Sequence, residues 1–545
     1  MTALLTDNLP LLAGSPNGIK KLRELILELA VRGKLVPQDP SDESASELLK
    51  RIAEEKARMV ADGKIKNPKP LASLNQEEQS GDLPEGWALS RLGEVVNICT
   101  GKLDANAAVP GGEYPFFTCS QTPSSIATYS FETAAVLLAG NGDFNLKKYQ
   151  GRFDAYQRTY VIEPVIWSLD FCFISVSAEI ERITENNRGS AIPYLKLGDI
   201  TNPVIWMPPL AEQHRIVAKV DELMTLCDRL EAQQADADSA HAQLVQTLLD
   251  SLSQASDAAD FAQSWQRLAE HFHTLFTTES SIDALKQTLL QLAVMGKLVP
   301  QDPNDEPASE LLKRIAEEKA RLVAEGKIRK PKQQPRAGED GIPFVLPNGW
   351  AVERLGVTSH LITKGTTPTT LGHAYTSSGI SFVKVENIES RRISKTAISQ
   401  FISPETDELM SRSRLEAGDV LFSIAGTIGK TCSIQKEDLP ANTNQALAII
   451  RGTSTVFLQD FLLSQLDSFV SEKTKERARG GAMPNVSLGD LSDLVLVIPP
   501  LAEQHRIVAK VDELMALCDQ LKARLNQARQ VHEHLASALV EQAVA

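Results

Sequence analysis

Residues 208–228 read PPLAEQHRIVAKVDELMTLCD and residues 499–519 read PPLAEQHRIVAKVDELMALCD, so the two stretches differ only by Ala516 in place of Thr225. Such a close recurrence of a helix-like segment, far along the chain, is not chance similarity. It indicates that the chain contains two copies of one structural frame.

A second stretch recurs in the same way. LAVRGKLVPQDPSDESASELLKRIAEEKARMVADGKIKNPK, from Leu29, returns as LAVMGKLVPQDPNDEPASELLKRIAEEKARLVAEGKIRKPK, from Leu292. Between the repeated parts lie two unlike segments, 88–207 and 351–498, and the second is the longer. A repeat of this size is too long for a solenoid. The chain is therefore a duplicated half-molecule with two different inserted segments, which favours pseudo-twofold symmetry.

The repeated parts have the patterns of helices. Apolar and small residues step by four and three from Ile216 to Leu248, and again from Ile507 to Leu539. A seven-residue period held for this long is typical of a coiled-coil seam. We therefore predict two long helices that pack on each other within the chain, each about 60 Å long at ~1.5 Å per residue. The seam pattern includes Leu244 and Leu535 among its core positions.

The unlike segments have a different character. TAAVLLAGNGDFNLKKYQGRFDAYQRTYVI and AGDVLFSIAGTIGKTCSIQ contain short β-rich runs broken by Gly, Asn and Asp, as turn-linked strands do. SQFISPETDELMSRSRL and VFLQDFLLSQLDSFVSEKT have helical patterns. We predict that each segment is a mixed α+β globule with a strand-rich surface.

Composition limits the function classes. The chain has 545 residues with 42% hydrophobic and 23% charged residues, no apolar run long enough for a membrane span, and no secretory leader pattern. Its six cysteines are scattered without a C-x-x-C pair, which fits a reducing cytoplasm and argues against a cysteine zinc site. The net charge of −14 means that any binding of nucleic acid must be local or helped by partners.

The sequence contains no convincing catalytic or metal motif. GTIGKT, from Gly426, resembles a phosphate-binding loop, but that motif requires four residues between its first glycine and the Gly-Lys pair. Neither H-E-x-x-H nor G-x-S-x-G is present. We therefore expect no catalytic residues, metal site or cofactor in this chain.

Basic residues in the unlike segments are the candidates for binding. Such residues can hold phosphates or read guanine in a major groove. For any single one, ordinary surface charge is the alternative explanation. The candidates are Lys102, Lys147, Lys148, Arg152 and Arg158 in the first segment, and Lys364, Lys384, Arg391, Arg392 and Lys430 in the second.

Both unlike segments begin and end with related motifs. They begin at LPEGWALSRLGEV and LPNGWAVERLGVT, and end at RGSAIPYLKLGDITNPVIWMPPLAEQHRIVAKVDEL and RGGAMPNVSLGDLSDLVLVIPPLAEQHRIVAKVDEL. In these motifs, and over almost its whole length, the chain resembles the specificity subunit of type I restriction–modification enzymes.

The resemblance implies an α+β architecture in which two target-recognition domains are separated by an intramolecular antiparallel coiled coil. Each domain would read one half of a split site on double-stranded DNA, and the helices would set the spacer. Two modification subunits would bring S-adenosylmethionine and methylate adenine. Restriction and translocation subunits would use ATP and Mg²⁺. All would act in the cytoplasm, without a membrane, and this chain would be non-catalytic.

The resulting division of the chain has six parts. They are an N-terminal helical frame (1–86), recognition domain 1 (87–207), long helix 1 (208–256), a central helical frame with a linker (257–348), recognition domain 2 (349–498) and long helix 2 (499–545). A central insert at 254–280 departs from the family pattern and carries an amphipathic stripe, which we expect to pack on the frame or on a partner.

Two alternatives come from other classes of protein. The first is a restriction nuclease or methyltransferase with fused recognition domains, and it is disfavoured because no Asn-Pro-Pro-aromatic or nuclease motif is present. The second is a structural coiled-coil adaptor, which leaves two large unlike globules unexplained.

Overall fold

The structure of the chain is a computed structural model with two compact units. One unit is formed by the described residues of 1–237 and 528–545, and the other by those of 238–527. Helices and strands are numbered below in chain order among the described residues. These are residues 14–76, 78, 82–185, 187–189, 192–328, 337–338, 342, 344–454, 456–467 and 486–544.

The first unit begins with two frame helices, α1 (Gly18–Val31) and α2 (Ala45–Ala61). Apolar residues three and four apart give α1 one buried face. The helix is followed by Gly33 with φ +67°, where a Cβ would lie 2.6 Å from the Pro84 ring. Only glycine fits this turn, which lies against the ring of Trp87 at the start of the first unlike segment.

A six-stranded sheet forms the first unlike segment, in the order β2-β7-β5-β6-β3-β4. Neighbouring strands are antiparallel except β3 and β6, which are parallel. Short helices flank the sheet. The strands are β2 (Val96–Thr100), β3 (Tyr114–Phe117), β4 (Ser124–Ile126), β5 (Phe131–Ala139), β6 (Leu146–Ala155) and β7 (Thr159–Pro164). The helices are α3 (Leu92–Val95), α4 (Leu169–Ala178), α5 (Ile180–Glu185) and α6 (Leu197–Thr201).

The two ends of the first unlike segment are joined as a pair. Strand β1 (Ala88–Arg91) pairs antiparallel with β8 (Val204–Met207), with Ala88 opposite Met207. The segment therefore leaves the frame and returns to it at one place, directly before long helix α7 (Leu210–Ser253).

The second unit repeats this plan after two helices from the insert. The helices are α8 (Ala258–Ala269), α9 (Phe272–Leu275), α10 (Glu279–Val294), α11 (Ala308–Ala324), α12 (Leu355–Thr358), α13 (Pro404–Leu409), α14 (Gln459–Gln465), α15 (Leu488–Ser492) and α16 (Leu501–Val544). The strands are β9 (Ala351–Arg354), β10 (Leu361–Lys364), β11 (Ile380–Val383), β12 (Ile388–Glu389), β13 (Arg392–Ile393), β14 (Phe401–Ile402), β15 (Val420–Ser423), β16 (Thr431–Ser433), β17 (Ala441–Thr443), β18 (Leu447–Arg451) and β19 (Val495–Ile498).

In the second unlike segment, the strands that correspond to the six-stranded sheet of the first form two smaller sheets, β10-β18-β15-β16 and β14-β11-β17. Its ends again pair, β9 with β19. Of the two helical predictions here, SQFISPETDELMSRSRL contains the six-residue α13, which Ser403 and Pro404 start late, and a short 3-10 helix (Ser411–Ser413). VFLQDFLLSQLDSFVSEKT contains α14, and its residues from 468 onward lie outside the described residues.

Each of the two long helices passes from one unit into the other. Helix α7 begins in the first unit and ends in the second, whereas α16 begins in the second and ends in the first. Within the first unit, Ala536 and Leu539 of α16 join the core that contains Ile216 of α7. Within the second unit, Leu249 of α7 joins the core that contains Ile507 of α16. The predicted fold class is confirmed.

The seam prediction is wrong over the later part of each helix, where the predicted core residues Ala237 and Ala528 are exposed, as are Leu244 and Leu535. Leu244 and Leu535 are 51% and 48% exposed, whereas their neighbours Val245 and Ala536 are buried. Leu244 lies four heptads after Ile216, and a straight α-helix drifts from a seven-residue repeat by about 20° per heptad. Because four heptads accumulate roughly 80° of drift, the buried position moves on by about one residue.

The central insert packs on the frame of the second unit. Phe261, Leu268 and Phe272 of its amphipathic stripe are buried in the same core as Leu285 of α10, and Trp265 packs against that core. Among the described residues, no helix is long and apolar enough to cross a membrane.

Candidate nucleic-acid interface

The duplicated motif holds the start of each unlike segment through a buried glutamate. Glu212 is buried, and its carboxylate accepts hydrogen bonds from Trp87 Nε1 at 3.0 Å and from Gln38 Nε2 at 3.2 Å. Burial raises the pKa of the Glu212 carboxyl, and the two donors oppose that shift. In the second copy Glu503 accepts from Trp350 at 3.0 Å and from Gln301 at 3.1 Å. We call these contacts the frame lock.

The next residue of the motif holds a later part of each unlike segment. Gln213 Oε1 accepts a hydrogen bond from the backbone N–H of Ser168 at 3.0 Å, just before α4. Gln504 Oε1 accepts from the backbone N–H of Leu458 at 2.7 Å, just before α14. The recurrence of the motif thus has a structural cause, since each copy holds one inserted domain in the same way.

Loops between the strands gather into a first loop cluster, which we define as residues 101–103, 118–120, 140–145 and 156–158. Backbone hydrogen bonds join its members: Gln157 N to Leu103 O at 2.9 Å and Gly140 N to Arg158 O at 2.7 Å. Asn145 Nδ2 donates to Cys119 O at 2.8 Å. These bonds fix the loop backbones, so the cluster presents its polar side chains from a rigid base.

The second unlike segment has an equivalent second loop cluster, defined as residues 365–367, 384–387, 424–430 and 444–446. Ile424 N donates to Ala446 O at 2.8 Å and Thr366 N donates to Thr443 O at 3.1 Å. Lys430 Nζ donates to Ile388 O at 3.1 Å, next to the cluster. Two unlike sequences therefore build the same arrangement of loops.

One glycine in each cluster makes this arrangement possible. A Cβ on Gly101 would lie 1.8 Å from Ala155 O, and a Cβ on Gly365 would lie 2.2 Å from Thr443 O. The Gly101 N–H also donates to Thr159 O, at the start of β7, and the Gly365 N–H donates to Leu447 O, at the start of β18, each at 3.2 Å. The loop after β2 can approach the loop before β7, and the loop after β10 can approach the loop before β18, only because the glycine has no side chain.

The first loop cluster contains or adjoins three of the five candidate cations of its segment. Lys102 and Arg158 belong to it and are exposed. Lys147 follows it directly and donates to Asn145 Oδ1, and burial lowers the pKa of its ammonium group. Lys148 and Arg152 lie on β6, paired with Asp170 at 2.5 Å and Glu132 at 2.9 Å respectively.

The second loop cluster likewise contains or adjoins three of the five predicted cations of its segment. Lys364 directly precedes it and is exposed, and Lys384 and Lys430 belong to it. Lys430 holds neighbouring backbone, as described above. Arg391 lies 2.5 Å from Asp467, and Arg392 donates to Ser433 Oγ at 3.2 Å, so both are engaged within the domain outside the cluster.

The predicted site residues do not include the neutral side chains of the clusters, chiefly Gln157 and Gln445. Both are exposed and occupy the loop that precedes β7 or β18. Aligning DAYQRTYVI with NTNQALAII would have placed them opposite each other, but only the strand pairing shows that this alignment is the right one. No group of three or more His, Cys, Asp and Glu side chains suited to a metal ion occurs in the described part of the chain.

Comparison with known proteins decides the family. The model of the "Type I restriction modification DNA specificity domain" matches residues 84–237 and 347–529. The chain is 38% identical to the specificity subunit of the type I restriction enzyme EcoAI of Escherichia coli, over 97% of this chain and 94% of that protein. The chain belongs to the type I restriction–modification specificity family.

A second specificity subunit and a chain from a solved structure are also similar. The EcoEI specificity subunit of Escherichia coli is 35% identical over 97% of this chain and 94% of its own length. A chain from a solved type I restriction–modification structure is 19% identical over 85% of this chain and 99% of its own, with a TM-score of 0.47.

Proposed function

We propose that this chain is the DNA-recognition subunit of a type I restriction–modification complex, without catalytic residues of its own. Its recognition domains, 87–207 and 349–498, each read one half of a split site on double-stranded DNA through their loop clusters. The observation that carries the proposal is that two unlike sequences present equivalent loop clusters on two copies of one frame. Unlike side chains in equivalent places suit two different half-sites.

The partners in this proposal are two modification subunits together with restriction and translocation subunits in the cytoplasm. The partners bring S-adenosylmethionine, ATP and Mg²⁺. Exposed residues that are identical in both copies of the repeated segment support two identical partner subunits, because equal surfaces fit equal partners. These residues include His214 and His505, Asp221 and Asp512, and Glu222 and Glu513. Cations from the partners would offset the net charge of −14.

The DNA contacts of the proposal rest on the loop clusters. Among the predicted cations we assign contacts to Lys102, Arg158, Lys364 and Lys384, which are not used to hold the loop backbone. Removal of a phosphate contact should weaken binding to all sequences alike, whereas removal of a base contact should relax one position by about 1–3 kcal/mol.

The deciding experiment exchanges one recognition domain. Residues 351–498 are replaced by the equivalent segment of a relative, and adenine methylation is mapped in a host that also produces the modification subunit. We expect one half-site to change and the other to persist. Purified chain without partners should neither methylate nor cut DNA. A change in both half-sites, or methyl transfer by the chain alone, contradicts the proposal.

A further inference from the structure

The two loop clusters share one polar side chain at an equivalent place. Gly140, the residue directly after β5, donates its backbone N–H to Arg158 O at 2.7 Å. Ile424, the residue directly after β15, donates in the same way to Ala446 O at 2.8 Å. Arg158 and Ala446 are therefore equivalent positions. The residues just before them are Gln157 and Gln445.

The other equivalent positions of the clusters are occupied by different residues. By the same backbone pairings, Lys102 corresponds to Thr366, Tyr156 to Asn444, and Asn145 to Lys430. Variation at these places fits domains that read different half-sites. The shared glutamine therefore has a role common to both half-sites.

Each glutamine projects from rigid backbone into solvent. Thr159 follows the loop that carries Gln157, and Leu447 follows the loop that carries Gln445. Both are buried, with 1% and 0% of their surface exposed. Gln157 also donates its backbone N–H to Leu103 O at 2.9 Å. A side chain on such a base is placed well enough for a directional contact.

The glutamine amides are available for an external partner. Gln445 Oε1 accepts a hydrogen bond from Thr367 Oγ1, and an amide oxygen can accept a second hydrogen bond. Within the described part of the chain, neither the Gln157 side chain nor Gln445 Nε2 makes a hydrogen bond. A neutral amide carries no net charge to attract phosphates, but it matches the N6 donor and N7 acceptor of adenine in a bidentate contact.

We propose that Gln157 and Gln445 are a matched pair of specificity-determining residues, each of which contacts an adenine at the equivalent place of its own half-site. The inference rests on the proposed function, because it requires that the loop clusters face DNA.

The test uses the complete complex with its modification subunits and a library of randomised duplex DNA. The wild-type complex first selects bound DNA, which defines both half-sites by sequencing. Binding is the measurement because loss of an adenine that is itself the methylation target would abolish a methylation signal. Gln157→Ala should then lower discrimination for adenine at one position of the first half-site by about 5- to 150-fold, and Gln445→Ala at one position of the second.

Matched variants separate base reading from other roles. Gln150→Ala, at an exposed glutamine on β6 outside the loop cluster, should leave selection unchanged. Gln157→Glu and Gln445→Glu keep the shape but only accept hydrogen bonds, so preference should move from adenine toward cytosine.

Three results overturn the inference: unchanged selection by both Ala variants, weaker binding that is equal for all sequences, or relaxation in the wrong half-site. Each of these leaves the proposed function intact as long as the wild-type complex selects a split site. Failure of the wild-type complex to select a split site rejects the proposed function and this inference together.

Discussion

Gly101→Ala should destroy reading of the first half-site and leave the second intact. The new Cβ would lie 1.8 Å from Ala155 O and 2.6 Å from Tyr156 O, whereas real contacts of this kind are essentially never shorter than 3.0 Å. The loop after β2 and the loop that carries Gln157 and Arg158 must therefore move apart by at least about 1.2 Å. A recognition contact tolerates about 0.5 Å, so base discrimination should disappear.

The cost in stability should be moderate. Overpacking of a tight site costs about 1–3 kcal/mol. For a unit of this size each kcal/mol lowers the melting temperature by about 2–4 °C, so the chain should still fold. Circular dichroism and thermal melting check this before the DNA measurement.

Selection from randomised DNA by the complete complex measures the effect. Gly365→Ala, with Cβ 2.1 Å from Asn444 O, should erase the second half-site instead. Gly198→Ala is the control, because its nearest neighbour lies 3.7 Å away in a helical turn. If Gly101→Ala selects the same first half-site as the wild type, the loop cluster is not the reading surface.

Two further predictions concern the frame. Lys56 Nζ donates to three backbone carbonyls at 2.8–3.0 Å, and Lys319 Nζ donates to two at 3.0 Å. Lys56→Met should therefore lower the free energy of unfolding by about 1–3 kcal/mol, and Lys319→Met should lower it by less. Equal melting temperatures of both variants and the wild type would refute these contacts. Adding seven residues after Gln234 and after Leu525 lengthens each helix by about 10 Å, or about three base pairs, so a site that is still bound should keep both half-sites and change only its spacer. An unchanged spacer at full activity, read from the methylome, would show that the helices do not set the distance.

The duplicated frame could be predicted from the sequence because its signals are local. A helix pattern and a recurring motif need no knowledge of partners far along the chain, and both long helices begin directly after a Pro-Pro pair. The seam failed at Leu244 and Leu535 because a seven-residue pattern drifts from a straight helix over four heptads. That departure depends on packing within each unit, which the pattern does not contain.

The candidate site was harder to predict because its contacts are distant in sequence. Arg391 looked like a free cation, but its partner Asp467 lies 76 residues away. Lys430 is the lysine of GTIGKT, which resembles a phosphate-binding motif, yet its ammonium group donates to backbone carbonyls of the 385–388 stretch. Without the strand pairing, a cation that holds a loop cannot be distinguished from one that could hold DNA.

The frame lock explains how one frame can carry two unrelated domains. Glu212 and Glu503 accept hydrogen bonds from side chains that are repeated in both copies, including Trp87 and Trp350. Gln213 and Gln504 accept hydrogen bonds from backbone N–H groups of the inserted domains. The first of those N–H groups belongs to a serine and the second to a leucine, so the contact does not depend on the side chain. Every residue except proline supplies a backbone N–H. The inserted sequence can therefore change freely while its attachment stays the same, and this is the property that the exchange of residues 351–498 requires.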